Sequence, residues 1–303
     1  MGINLHTMLY LQDIGALSPE KNKLLDIGPQ NVHGVTSELL RQFISVQGQV
    51  VSNEHCDREV RRLSDRSIVK NKHHPPFLSD IADLTSIEYN SFDVSLRYKT
   101  ELLDLNFDNL PEKYHEYYDV VLNCGTTEHI LNQWNCFEVI HDATRVSGIM
   151  YHQLPATGYL DHGYFAYTPL FFKDLAAAND YEVVDMFYTL AGFDEPLRMG
   201  IDVREETTLR ATYSKPLTVF ERRVPCFDTR IVLRKQHSTR FRCRLEVATG
   251  FASVDRAMAL RYTTESKPRR DLDEARRQLD ELGHRRGVAS FFGRLRARPG
   301  RWR

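Results

Sequence analysis

The chain has 303 residues, of which 42% are hydrophobic and 11% are aromatic. This composition excludes a chain that is disordered throughout, because the apolar residues suffice for one large core or two modest ones. The formal net charge of -1 hides an asymmetry, since residues 267–303 contain twelve Lys or Arg against five Asp or Glu. The basic end is therefore a candidate for a partner of its own.

The sequence contains no membrane segment and no export signal that we recognise. No apolar run approaches the roughly eighteen residues that span a bilayer, and the first residues lack a basic region followed by a cleavage site. A cytoplasmic location is expected. The chain has five cysteines: Cys56, Cys124, Cys136, Cys226 and Cys243. Because they are odd in number and scattered without a C-x-x-C pair, they predict neither a disulfide framework nor a zinc knuckle.

The first two thirds of the chain predict strands that alternate with helices. Residues 23–32 (KLLDIGPQNV) predict a strand and a tight turn, and the following TSELLRQFISV has apolar residues at helical spacing. Four further apolar or β-branched runs predict successive strands: LTSIEYN, TELLDLN, YDVVLNCG and GIMYHQLP. Between the last two, residues 130–148 predict an amphipathic helix that ends near Gly148. This alternation predicts a parallel sheet.

The rest of the chain completes the sheet and then changes character. TPLFFKDLAAANDYEVVDMFYTL predicts a helix followed by a strand, and LTVFERR and DTRIVLRKQ are two further β-like runs. We expect one domain over residues 1–236 and a C-terminal extension over residues 237–303, with a charged helix and a basic tail. Residues 49–76 are polar and end in HHPP, which predicts an inserted helix and loop that is a candidate lid.

Polar residues follow the predicted strands, and the carboxyl ends of parallel strands are where such sheets bind ligands. Asp26 and Gly28 follow the first strand, where glycine permits a tight turn and close approach to a ligand. Glu88 is expected at the end of the second strand, where a carboxylate can accept two hydrogen bonds from a ribose diol. Asp104 follows the third strand, and residues 123–130 (NCGTTEHI) follow the fourth.

This series resembles the class I S-adenosylmethionine (SAM)-dependent methyltransferases over roughly residues 20–190. The resemblance rests on strand-D-x-G, an acid after the second strand, D-L-N-x-x-x-L-P and Y-D-V-V-L-N-x-G-T-T-E-H-I. The later runs HDATRVSGIMYHQLPA and YFAYTPLFFKDLAAANDYEVV are similar to the family's fifth strand, next helix and sixth strand. The resemblance implies a Rossmann-like, doubly wound, mostly parallel sheet with helices on both faces. It is nearest to bacterial methyltransferases associated with small molecules or polysaccharides.

The resemblance also implies SAM as the cofactor and a set of contacts to it. The turn at Gly28 would contact the methionyl part, Glu88 would hold the ribose hydroxyls, and Asp104 with its neighbour would flank the adenine. The floor beneath the donor would follow the fourth strand. The residues implied to bind the cofactor are Asp26, Gly28, Pro29, Glu88, Asp104, Leu105, Cys124 and Gly125.

Methyl transfer depends on in-line positioning and exclusion of water, which leaves a base for a hydroxyl or amine acceptor as the expected catalytic group. The candidate bases are His129, His152 and His162, because a neutral imidazole accepts a proton near physiological pH. The alternative for His129 is capping or packing at a helix start. The pairs Glu128–His129 and Asp161–His162 also suggest a divalent metal. Their spacing is not diagnostic, so solvated pairs are favoured and no metal site is predicted.

The predicted function is SAM-dependent methyl transfer to oxygen or nitrogen of a small-molecule or glycan acceptor, held by the aromatic loop over residues 152–168. The N/D-P-P-Y motif of many amino-group nucleic-acid methyltransferases is missing. One alternative is a catalytically inactive SAM-fold binding or scaffold protein, because Gln30 and Val32 replace two glycines of the family's D/E-x-G-x-G-x-G. Another is an RNA methyltransferase docked by the basic tail, which is not favoured because no RNA-binding motif accompanies it. The sequence indicates no oligomeric state.

Overall fold

The computed structural model describes residues 2–68, 75–159, 162–190 and 226–242. The chain divides into two compact units, Met1–Phe241 and Arg242–Arg303. The domain boundary expected at residue 236 stays a prediction. The predicted LTVFERR strand, charged helix and basic tail lie outside the described residues.

The described residues form a mixed sheet with helices on both faces. The strands are β1 (Ile3–Asn4), β2 (Lys23–Ile27), β3 (Val32–His33), β4 (Glu88–Asp93), β5 (Thr100–Leu102), β6 (Tyr118–Cys124), β7 (Thr144–Thr157), β8 (Glu182–Leu190) and β9 (Phe227–Arg234). The helices are α1 (Leu5–Asp13), α2 (Ser37–Gln47), α3 (Asn53–Ile68), α4 (Leu78–Ala82), α5 (Gln133–Ala143) and α6 (Pro169–Asn179). None of the described helices is long and apolar enough to cross a membrane.

Seven of the described strands form the main sheet, in the order β5-β4-β2-β6-β7-β9-β8. The pairs from β5 to β7 are parallel, whereas β9 runs antiparallel to both β7 and β8. Without β9, the chain order of the strands across the sheet is 3-2-1-4-5-6, the order of a doubly wound Rossmann-like sheet. The predicted fold class is therefore confirmed, with one antiparallel strand inserted between the last two.

Successive residues of the central strands face opposite sides of the sheet, as strand geometry requires. Leu24 and Val120 join the core that packs under α1 to α4. Leu25 and Val121 join the core under α5 and α6. Because both faces are apolar, the sheet is buried on both sides, and polar groups along the chain collect at its edges.

Helix α3 corrects the prediction of a lid over residues 49–76. The helix was expected, but its buried residues Cys56, Val60 and Leu63 belong to the core on the α2 side of the sheet. A helix anchored by three fully packed side chains cannot swing away from the sheet without losing that burial. The helical half of this segment is thus a core element.

Helix α5 ends earlier than its predicted limit near Gly148. It stops at Ala143, and Thr144 already begins β7. The Thr144 hydroxyl donates to the carbonyl of Ile140 at 2.7 Å, which satisfies one of the last helical carbonyls. Val146, expected on the helix, is an exposed residue of the strand.

Candidate active site at the carboxyl edge of the sheet

The carboxyl ends of three neighbouring parallel strands are joined to one another. The Gly28 N–H, just after β2, donates to the carbonyl of Phe92 at 2.9 Å. The Leu103 N–H, just after β5, donates to the carbonyl of Asp93 at 3.1 Å. The turns after β2 and β5 and the carboxyl end of β4 therefore form one continuous rim.

The loop after β6 joins this rim. The N–H groups of Leu131 and Asn132 donate to Oδ1 of Asn106 in the β5 loop, at 3.2 and 3.3 Å. The Thr126 hydroxyl donates to the carbonyl of Ile27 at 2.5 Å, and this bond connects the β6 loop to the β2 turn. These hydrogen bonds join the turns near Gly28, Asp104 and Gly125 at one edge of the sheet.

The turn after β2 needs glycine at position 28. Gly28 has φ of 84°, and a Cβ there would lie 2.5 Å from Oγ1 of Thr126. Beneath the turn, Oδ2 of Asp26 accepts the Gln30 N–H at 2.8 Å and the Tyr89 hydroxyl at 2.9 Å. Burial raises the pKa of Asp26 to about 8. Asp26 thus holds the turn from below, while Pro29 stays partly exposed.

Gln30 occupies the position where the family pattern has its second glycine. Its side chain is buried and folds back so that Nε2 donates to the carbonyl of Gly28 at 2.8 Å. The Gln30 carbonyl accepts the Leu78 N–H at 2.9 Å, which ties the turn to α4. At the position where the family pattern has glycine, Gln30 therefore stabilises the turn with one side-chain and one main-chain hydrogen bond.

Glu88 is not at this edge, and its predicted role is wrong. Strand β4 begins at Glu88, which pairs with Lys23 at the first position of β2. The carboxylate is exposed and accepts a hydrogen bond from the Tyr117 hydroxyl. The LTSIEYN run misled the prediction because Leu84 and Ile87 are buried in the connection between α4 and β4.

The acid at the carboxyl end of β4 is Asp93. It is half-buried, and its Oδ1 accepts the Ser95 N–H at 2.8 Å. Asp93 is close enough to Asp26 for its charge to raise the pKa of the Asp26 carboxyl. The sequence signal that locates it is the buried Phe92 immediately before it, which extends the strand beyond Asn90.

The loops after β5 and β6 present fewer side chains to the rim than the sequence predicted. Asp104 is half-buried and its Oδ1 accepts the Asn106 N–H at 2.9 Å. The side chains of Leu105 and Cys124 lie in the cores, at 4% and 1% exposure, so neither can flank or floor a ligand with its side chain. Gly125 has φ of 75° and remains a turn residue on the rim.

Directly beyond Gly125, the structure brings Glu128, His129 and His162 together. Oε1 of Glu128 lies 3.7 Å from Nε2 of each histidine. The two rings meet edge to face, with centroids 4.8 Å apart. Burial raises the pKa of Glu128 to about 7, and burial together with the nearby His162 lowers the pKa of His129. We call these three residues the Glu128 cluster.

Main-chain bonds hold the second half of the Glu128 cluster in place. The N–H groups of Tyr164 and Phe165 donate to the carbonyl of Glu128 at 2.6 and 3.2 Å. Between them and His162, Gly163 has φ of 74°, and a Cβ there would lie 2.8 Å from Cγ of Glu128. The loop therefore packs tightly on Glu128. Asp161, which the sequence paired with His162, lies outside the described residues.

His152 is separated from the Glu128 cluster and sits in the core. It is 1% exposed and contacts Phe137 and Phe172, with ring centroids 5.7 and 5.1 Å away. Its Nδ1 lies 3.2 Å from Nδ2 of Asn123. Burial lowers the pKa of His152 to about 3. An acceptor cannot reach a side chain in this position, so the prediction of His152 as a base is not supported.

Strand β9 contributes a further polar group to this edge, which the sequence does not predict. Because β9 is antiparallel, its first residues lie where the parallel strands end. Asp228 is buried there and accepts hydrogen bonds from Nε2 of Gln153, at 3.2 Å, and from the Tyr159 hydroxyl. Burial raises the pKa of Asp228. The Tyr159 ring in turn contacts His162, with centroids 5.8 Å apart. No local signal in the sequence identifies β9 as antiparallel.

No protein-family model matches this chain, and no curated protein matches it by sequence. Several solved structures match this chain by their three-dimensional fold. A 1,6-didemethyltoxoflavin-N1-methyltransferase from Burkholderia thailandensis, with S-adenosylhomocysteine bound, is 9% identical at a TM-score of 0.37, and the match covers 76% of each chain. The YcgJ protein of Bacillus subtilis is 10% identical at 0.39, with 77% of this chain and 100% of that chain covered.

A SAM-dependent methyltransferase from Archaeoglobus fulgidus is 12% identical at a TM-score of 0.36, and the match covers 76% of this chain and 93% of that chain. At such identities a match concerns the fold alone. The strand order, with β9 inserted antiparallel before the last strand, is that of the doubly wound Rossmann-like sheet that the sequence predicts.

Proposed function

We propose that this chain binds SAM at the carboxyl edge of the sheet and transfers its methyl group to oxygen or nitrogen of a small-molecule or sugar acceptor. The observation that carries the proposal is the rim, in which the turns after β2, β5 and β6 and the carboxyl end of β4 are joined by hydrogen bonds. Ligands of doubly wound sheets bind at the carboxyl ends of the strands beside the point where the strand order reverses, which here is between β2 and β6.

The residues of the rim fit the parts of SAM. Asp93 offers a carboxylate to a ribose diol, which is the role that Glu88 cannot have. Gly125 can let the methionyl part approach the main chain of the rim, because it carries no side chain, whereas Thr126 packs against Gly28. Asp104 can accept a hydrogen bond from the adenine amino group. Exposed Val94, next to Asp93, offers an apolar surface to the base.

When bound, SAM supplies a sulfonium methyl group that is reactive without covalent help from the protein. The remaining task for this chain is to orient the acceptor and to receive its proton. The Glu128 cluster is suited to both, because it follows Gly125 directly and carries two imidazoles and one carboxylate. The exposed ring of Tyr164 and the ring of Tyr159 border the cluster and can contact an acceptor.

A matched pair of variants tests the donor site. Asp93→Ala is expected to weaken SAM binding in isothermal titration by roughly tenfold to a hundredfold, the loss typical of hydrogen bonds to a charged group. Glu88→Ala is expected to bind SAM like the wild type, because Glu88 lies at the other edge. Equal effects of the two substitutions would contradict the placement. If the wild type fails to bind SAM at millimolar concentration, the inactive scaffold replaces this proposal.

The acceptor side is tested by methylation assays with labelled SAM and panels of phenolic, amine and sugar acceptors. His162→Ala is expected to lower the rate of methyl transfer while the dissociation constant for SAM stays unchanged, since His162 is outside the joined turns. A variant that loses SAM binding and activity together would instead place His162 in the donor site.

A further inference from the structure

The Glu128 carboxylate is buried without a hydrogen-bond donor from any other described residue. It has 0% exposure, and neither Oε1 nor Oε2 has a partner among the other described residues. Nε2 of His162 is also buried without a hydrogen bond. Burying a carboxylate in this way is costly unless a cation or a donor compensates its charge. The two histidines provide no hydrogen bond, because their 3.7 Å separations from Oε1 are too long.

The geometry of the Glu128 cluster is that of a ligand set. One carboxylate oxygen and one nitrogen from each imidazole all lie within 4.8 Å of one another. Ligands about 2.0–2.1 Å from a tetrahedral ion are roughly 3.4 Å apart. The two carboxylate-to-imidazole distances of 3.7 Å need a contraction of a few tenths of an ångström, and the third ligand-to-ligand distance, at most 4.8 Å, needs a contraction of up to about 1.4 Å. Side-chain rotations provide both.

The chain builds this arrangement from two separate segments, which indicates more than chance proximity on a surface. Glu128 and His129 follow β6, whereas His162 comes from the loop beyond β7. The two segments are fixed to each other by the bonds of Tyr164 and Phe165 to the Glu128 carbonyl. At Gly163 only glycine fits against the Glu128 side chain.

We propose that Glu128, His129 and His162 bind one divalent transition-metal ion through a carboxylate and two imidazoles. Two nitrogens and one oxygen suit zinc, iron, cobalt or manganese better than magnesium, which prefers oxygen ligands. Three protein ligands leave a coordination position for another group. If the proposed function is correct, that position faces the acceptor, whose hydroxyl the ion would orient and whose pKa it would lower.

The test uses Co²⁺ as a probe on the full chain after treatment with EDTA. We expect d–d absorption bands that saturate at one Co²⁺ per chain, without the charge-transfer band of a thiolate ligand. Zn²⁺ should displace the Co²⁺, and excess Mg²⁺ should not. Saturation at one equivalent with a thiolate band, or no saturable absorption at all, would overturn the proposal.

Variants locate the site. Glu128→Gln, His129→Ala and His162→Ala should each weaken Co²⁺ binding by at least roughly tenfold. The exposed His115 and His237 provide matched controls, and alanine at either position should leave Co²⁺ binding unchanged. Wild-type affinity in the folded His162→Ala variant would refute the site, and that variant keeps the test valid if Glu128→Gln does not fold.

The same samples separate this inference from the proposed function. SAM binding by isothermal titration together with absent Co²⁺ binding would reject the metal site alone. One equivalent of bound Co²⁺ with no SAM binding would keep the metal site and reject the methyltransferase.

Discussion

Replacing Asp26 with asparagine is expected to remove a pH-dependent loss of stability from the protein. Burial raises the pKa of the Asp26 carboxyl to about 8, and the hydrogen bonds from Gln30 and Tyr89 offset this only in part. In the unfolded chain the pKa of an aspartate is about 3.9. The folded protein therefore holds this proton more tightly than the unfolded chain does.

The direction of the change in stability with pH follows from this difference in pKa. The contribution of Asp26 to stability is fully present below about pH 4 and is lost as the pH rises toward 8, because the folded state must then bury a charge. Each pH unit in this window costs up to about 1.4 kcal/mol, so the full loss approaches about 6 kcal/mol. Tyr89 and Cys124 face Asp26, and burial raises the pKa of both well above their usual values, so they stay neutral here. The negative charge of the nearby Asp93 raises the pKa of Asp26, as burial does.

The assay is urea unfolding of the wild type and of Asp26→Asn, followed by far-UV circular dichroism between about pH 5 and pH 8. The wild type should lose stability relative to the variant by on the order of 1 kcal/mol per pH unit. Other buried acids, such as Glu128 and Asp228, titrate in both proteins, and the difference between the two curves removes them. A difference that stays constant with pH would show that Asp26 is ionised throughout and would refute the reasoning.

Two further predictions concern His152 and Gly163. Because burial lowers the pKa of His152 to about 3, the wild type should lose stability as the pH falls from about 6.5 toward 3. His152→Gln should lose less in acid unfolding measurements, and equal acid sensitivity of the two proteins would count against a neutral buried imidazole. Gly163→Ala should weaken Co²⁺ binding several-fold, because its Cβ would lie 2.8 Å from Cγ of Glu128. SAM titrations of this variant should match the wild type, and a loss of SAM affinity would connect the loop to the donor site.

The fold could be predicted from the sequence because its signals are local and strong. The run KLLDI is a buried strand, α2 begins with Thr36 as its N-cap, and YDVVLNC is buried at every position. The turn at Gly28 could also be predicted, since glycine after a strand and before a helix has few other uses.

The site could be predicted only in part, because strand ends and pairing directions depend on tertiary contacts. Glu88 begins strand β4 and Asp93 ends it. Leu84 and Ile87 are buried before the strand begins, and the sequence alone does not distinguish them from strand residues. His152 follows the expected strand pattern, but its side chain faces the core of Phe137 and Phe172. A shift of one residue in strand register would reverse that facing, and no local pattern fixes it.

Gln30, which replaces one missing glycine of the β2 turn, stabilises that turn with its own hydrogen bonds. In the family pattern the second glycine lets the main chain turn tightly beside the donor. Here Gln30 produces a tight turn by different means, because its N–H bonds Asp26 and its side chain bonds the Gly28 carbonyl. The Gln30 side chain is 5% exposed and packs beneath the turn, so it does not project into the rim. The loss of that glycine therefore changes how the turn is stabilised.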